Sequence, residues 1–159
     1  MNGYSLLLGT LLAATFTGCE QEKVSPDGGY LVVGRYYGEC IGESCIDIFK
    51  IDTVAERLYE DTADTYPSSE RPYEGRYQLK SQPLYEQVRV LPQHVPAQLL
   101  TQPTGIVGQP DFADGGGYYV EVSAAGQRKF WLIDTQKNNI PVYLHAFVDE
   151  LDAKIRSLQ

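Results

Sequence analysis

The strongest constraint on what this chain can fold into lies near its C-terminus. Leu144, Phe147, Val148, Leu151, Ile155 and Leu158 recur at spacings of three and four, the pattern of a helix with one apolar stripe. Pro141 stands where a first helical residue would, its fixed φ suited to a helix start. Asp149, Glu150 and Asp152 precede Lys154 and Arg156, an order that favours the helix macrodipole and a Glu150 to Lys154 pair. Such a helix must bury its stripe, and most of the periodic sequence ahead of it alternates as strands do. The expectation is α+β: a mainly antiparallel β-sheet covered on one face by a C-terminal amphipathic helix over residues 142–158.

The strand signals come in two groups. YLVVGRYYGEC and CIDIFKID, between Tyr30 and Asp52, are rich in Val, Ile, Tyr and Phe and flank IGES, which reads as a hairpin turn. Arg35 interrupts the face carrying Leu31, Val33 and Tyr37. Ile46 and Ile48 shift phase to Phe49 and Ile51, which predicts a bulge or a strand buried on both sides. A third strand is expected at Ala55 to Glu60, then a loop from Ala63 to Pro72. Two further strands, Tyr73 to Leu79 and Leu84 to Leu91, are expected around a turn at Lys80-Ser81-Gln82-Pro83.

Pro92, Pro96, Pro103 and Pro110 then exclude a long helix or a central strand, leaving at most a short helical turn at Ala97 to Thr101. The second group is a hairpin in which Tyr118, Val120 and Val122 alternate with Tyr119, Glu121 and Ser123. Ala124-Ala125-Gly126-Gln127 turns the chain into Arg128 to Asp134.

The 159 residues carry 13 Lys and Arg against 21 Asp and Glu, a formal charge of −8, which repels nucleic acid. Tyr4 to Thr17 is uncharged and mostly apolar. At about 14 residues it is shorter than the roughly 20 a membrane-spanning helix needs, and it has the length of a signal-peptide core. It ends in Phe16-Thr17-Gly18-Cys19, which resembles the lipobox of bacterial lipoproteins. The resemblance covers the first 19 residues. It implies a signal peptide over residues 1–18, acylation of Cys19 and membrane anchoring by lipid, since each buried CH₂ contributes about 0.8 kcal/mol. Glu20, where an Asp retains such proteins at the inner membrane, implies the outer membrane of the cell envelope. Residues 19–29 read as a flexible tether with an r.m.s. reach of roughly 17 Å, and residues 30–159 as a single α+β domain.

Cys40 and Cys45 fall opposite each other at the first hairpin turn, where a disulfide is geometrically natural and an oxidising envelope would keep it. Free thiols or metal and redox use are the alternatives. His94, in the Pro-rich stretch, and His145, on the terminal helix, read as surface or core-edge residues, and Gly42-Glu43-Ser44-Cys45-Ile46 lacks the closing Gly of a nucleophile elbow.

Gly108-Gln109-Pro110-Asp111-Phe112-Ala113-Asp114-Gly115-Gly116-Gly117 is the most distinctive local segment. Asp111 and Asp114 can cap backbone amides while the glycines take positive φ, or the segment can hold calcium or a partner. With the Tyr-rich strands it resembles segments of small bacterial lipoproteins without assigned activity, which implies no site. Tyr36, Tyr37, Tyr118 and Tyr119, among 12 Tyr, either fill a sheet core or present surface for recognition of protein or glycan.

No metal set, cofactor motif or nucleophile-and-base spacing stands out. The chain therefore reads as a membrane-anchored, non-catalytic binding domain for an envelope protein or surface glycan. The alternatives are a protease-inhibitor-like domain presenting loop 41–44, Ile41 to Ser44, or a small metal-dependent hydrolase.

Overall fold

Tyr30–Tyr36 forms β1, the strand around which the sheet is built, paired along its whole length on both edges. In this computed structural model, which describes residues 29–38, 40 and 45–159, the sheet has seven strands. They are β1, β2 (Ile46–Asp52), β3 (Arg57–Asp61), β4 (Tyr77–Leu79), β5 (Gly105–Val107), β6 (Gly117–Ala124) and β7 (Gln127–Asp134), in the order β4-β3-β2-β1-β6-β7-β5. All neighbours are antiparallel except β5 and β7. The expected signal peptide, Cys19, the tether up to residue 28 and the hairpin tip 41–44 lie outside the described residues.

The phase shift in β2 has a direct explanation. Its register against β1 is unbroken from Tyr36↔Ile46 to Tyr30↔Asp52, so there is no bulge. Ile46 and Ile48 belong to the apolar cluster on one face and Phe49 and Ile51 to that on the other, because the sheet is covered on both sides.

On the first face Leu31, Val33, Phe49, Ile51, Leu58, Val120, Trp131 and Ile133 pack under three helices: α1 (Gln82–Val88), α2 (Ala97–Thr101) and α3 (His145–Leu158). All six residues of the expected C-terminal stripe are buried there, Leu144 from a turn of 3₁₀ helix (Val142–Leu144) that leads into α3. At roughly 1.5–3 kcal/mol per fully buried large side chain, this stripe is a main source of stability. Among the described residues no helix is long and apolar enough to cross a membrane.

Among the described residues the second face has no helix. Val32, Tyr36, Ile48, Tyr119, Phe130 and Leu132 are covered instead through Tyr73, which comes from the connection between β3 and β4, residues 62–76. A structureless connection of this length is uncommon in a small domain and needs its own fastening.

Three expectations are corrected. Leu84 to Leu91 is not a strand: Pro83 sits in the first turn of α1 after an extended Ser81, and Tyr85 and Val88 turn a helical face to the core. Of Tyr73 to Leu79 only the last three residues pair as a strand, the rest belonging to the long connection. The third strand begins at Arg57, Ala55 and Glu56 lying in the turn before it. The Pro-rich stretch also contributes β5, a short edge strand between Pro103 and Pro110 whose parallel pairing with β7 leaves Ile106 exposed. Trp131 Nε1 donates to Pro103 O at 2.8 Å and pins the approach to it.

Candidate functional site

The register of the sheet gathers most of its long connections at one end. The β1 to β2 hairpin, the start of connection 62–76, the β5 to β6 connection 108–116 and the β7 to α3 connection 135–144 all leave from the end marked by Tyr36, Ile46, Gly117 and Asp134. The opposite end carries the β2 to β3 turn and the tight Ala125-Gly126 turn, both of whose central residues have positive φ.

Among the described residues, Asp61, Glu121 and Asp134 are the buried charged side chains, and each one fastens a connection. Asp61 accepts hydrogen bonds from Tyr73 Oη, Arg76 N and Asp64 N, closing connection 62–76 on itself. Glu121, fully buried, accepts from Tyr119 Oη at 2.6 Å, Tyr73 N at 3.2 Å and Arg128 Nε at 2.7 Å. Arg128 also donates to Tyr73 O at 2.8 Å and to Glu74 at 2.7 Å. Asp134 accepts from Gln109 N, Gln136 N and Asn139 Nδ2, all within 2.9 Å, joining connections 108–116 and 135–144. A buried carboxylate held by several donors is a structural clasp, since a general acid or base needs a position open to the atom it serves. Burial, followed by the hydrogen bond to Glu121, pushes the Tyr119 hydroxyl far above its usual titration range, so it remains a donor.

At the tip of this end the connections touch. Tyr66 Oη donates to Tyr37 O at 2.6 Å, and the Tyr66 ring meets the Tyr36 ring edge-on at 5.2 Å. Gly38 lies against connection 108–116 so closely that a Cβ there would sit 2.3 Å from Asp111 Oδ1. Asp111 N donates to Gly116 O at 2.7 Å and Gly116 N returns a bond to Asp111 Oδ1 at 3.2 Å. Asp111, Ala113 and Asp114 adopt φ of 62°, 51° and 60°. Such conformations cost non-glycine residues roughly 1–2 kcal/mol. The tight loop leaves Phe112 67% exposed, and Tyr66, held at the same end by its bond to Tyr37 O, is 43% exposed. Burial, then the negative charge of Asp111, raises the pKa of Tyr66.

Of the residues marked by the sequence, Cys40 and Cys45 are joined as a disulfide, with Cα atoms 5.5 Å apart. Asp111 and Asp114 shape the exposed loop. Tyr36, Tyr118 and Tyr119 are buried and Tyr37 half-buried, so the strand tyrosines fill core, and among the described residues the exposed aromatics are Tyr66 and Phe112 on the connections. His94 Nδ1 lies 2.8 Å from Glu150, tying the Pro-rich stretch to α3, and His145 Nε2 lies 2.9 Å from Lys137 O at the entry to that helix. Among the described residues no cluster of three His, Cys, Asp or Glu could hold a metal ion.

The sequence reading missed the clasps. Glu121 and Arg128 carried the one available signal: opposite charges on the same face, across a recognisable tight hairpin. Asp61, Tyr73 and Asp134 are brought to their partners by connections without periodicity, which no local pattern announces. Comparison with known protein families, with curated proteins and with solved structures finds no match.

Proposed function

We propose that this chain is a lipoprotein of the cell envelope, anchored through acylated Cys19, whose folded domain binds another protein without transforming it. The observation that carries the binding reading is the disulfide end of the sheet. There, buried carboxylates fasten the connections, a loop with three left-handed non-glycine residues holds Phe112 exposed, and Tyr66 is exposed at the same end. An exposed aromatic on a rigid loop offers large contact area at small entropic cost, the character of protein-binding hot spots. Backbone strain kept at an exposed tip is likewise a feature of binding sites.

The anchoring reading rests on the uncharged segment ending at Cys19. A Cys19→Ala chain should lose both acyl label and membrane association.

The binding reading is tested in the intact protein by placing a photo-crosslinking amino acid at position 112 and, separately, at Val54, which is 69% exposed at the opposite end. A discrete protein adduct at 112 that is absent at 54 supports the assignment. Adducts of equal pattern at both positions, or none at 112, would overturn it.

A further inference from the structure

The anchored lipoprotein reading acquires a direction from the place where the chain enters the sheet. Gly29 is wedged between the β2 to β3 turn and the last residues of β6, at the end opposite the disulfide. Its carbonyl accepts from Thr53 N at 3.2 Å and Thr53 Oγ1 at 2.6 Å, and a Cβ on it would fall 1.6 Å from Ser123 O. No side chain fits there without displacing backbone, so the chain is held at this point and β1 carries it away toward the disulfide end. Seven residues of strand at about 3.3 Å each separate the two ends by roughly 20 Å before any loop is added.

About ten residues separate Cys19 from Gly29. A segment of that length spans at most about 36 Å when fully extended, and read as a flexible tether it has an r.m.s. reach of roughly 17 Å. To lay Phe112 on the bilayer the segment would have to run back along the whole sheet and past its loops, beyond that r.m.s. reach. Charge acts in the same sense. Connection 108–116 carries exposed Asp111 and Asp114 and no cation, and Lys137 of connection 135–144 is paired with Asp149, while at the tethered end exposed Glu56 is offset by adjacent exposed Arg57. Anionic headgroups therefore repel the disulfide end more strongly.

We infer that the domain stands with the disulfide end directed away from the membrane, so that Phe112 and Tyr66 meet a protein of the aqueous compartment, roughly 20 Å or more clear of the bilayer, and not the lipid surface. This rests on the lipoprotein reading above, and the test separates the two.

Full-length protein is prepared with a genetically encoded fluorescent amino acid at position 54 or 112, which spares Cys19, Cys40 and Cys45. Acylation is checked by intact mass. The protein is then placed in vesicles of phosphatidylethanolamine and phosphatidylglycerol containing a headgroup-attached quencher. The fluorophore at 54 should be quenched at least threefold more than that at 112. Equal or reversed quenching of acylated protein would overturn the orientation alone. Absence of acyl mass on Cys19 would overturn the anchoring and the orientation with it.

Discussion

Arg128 and Glu121 meet across the β6 to β7 hairpin, Arg128 Nε lying 2.7 Å from the Oε1 of a carboxylate that has no solvent exposure. The pair does more than neutralise a charge, because the same guanidinium holds Tyr73 O and the same carboxylate holds Tyr73 N. Together they fasten connection 62–76 over the second face of the sheet. Removing one partner leaves a buried charge uncompensated, which typically costs 3–5 kcal/mol. Arg128→Ala should therefore destabilise by about 3 kcal/mol in urea, whereas Glu74→Ala, on an exposed partner of the same arginine, should stay within about 1 kcal/mol. Hydrogen exchange at the Tyr73 amide should accelerate in the first variant and not in the second.

Two neighbouring tyrosines make opposite predictions. Tyr119 donates to Glu121 and accepts from Tyr73 N at 2.8 Å, so Tyr119→Phe should cost about 1–3 kcal/mol by leaving buried groups unpaired. Tyr36 has its hydroxyl buried near Gly117 with no hydrogen bond among the described residues. Tyr36→Phe should be neutral or stabilising by up to about 1 kcal/mol. Thermal melts of the two single variants decide the matter, and a larger loss in Tyr36→Phe would reverse the assignment.

Acid stability should depend on Asp152. Burial tends to raise its pKa, but the hydrogen bond from Tyr118 and the bond and charge of Arg156 outweigh it, with Arg35 adding to them, and the folded-state value lies below the usual one. A carboxylate depressed in the folded state contributes stability that is present above its unfolded pKa and is lost as pH falls through the folded one. Asp152→Asn should accordingly be less stable than the parent at neutral pH, and the gap should narrow as the pH is lowered through the carboxylate range. A gap constant with pH would show that the ion pair contributes nothing.

How much of this was legible in the sequence follows the physics of periodicity. Leu144, Phe147, Val148, Leu151, Ile155 and Leu158 announced α3 because burial of one stripe needs that spacing, and the β6 to β7 hairpin alternated as a half-buried pair must. Leu84 to Leu91 misled because a helix of seven residues is too short to show its period, and the information lay in Ser81 and Pro83 as a helix start. The second face was illegible for a different reason. Its cover is an irregular connection whose fastening depends on contacts between residues as distant as Tyr73 and Glu121, and only the folded register brings them together.

The helix itself offers a quantitative check. Leu151→Ala should cost about 2–5 kcal/mol, the range for emptying a fully buried leucine site, while Val142→Ala, at a side chain 80% exposed, should stay within about 0.5 kcal/mol. Glu150→Ala should fall slightly outside that surface range, by up to about 1 kcal/mol, because its carboxylate reaches His94. Urea midpoints measured on all three variants order them, and equal midpoints for Leu151→Ala and the parent would remove α3 from the core.

The strained loop carries the sharpest test of binding. Ala113 holds φ 51° and ψ 46° in a loop whose neighbour Phe112 is largely exposed, and glycine occupies that conformation without the Cβ penalty. If the strain has no role, Ala113→Gly is simply an improvement: stability rises by about 0.5–1 kcal/mol and nothing else changes. If the loop exists to hold Phe112 in place, the glycine variant gains the same stability but loses part of the ordering that binding would exploit, so photo-crosslinking from position 112 should weaken although the fold is firmer. Phe112→Ala supplies the complementary arm, since removing an exposed ring should leave the melting temperature nearly unchanged while abolishing partner capture, now read from a crosslinker at position 66. Stability and capture moving in opposite directions in Ala113→Gly would tie the strain to recognition; capture unchanged in both variants would separate this loop from the binding surface.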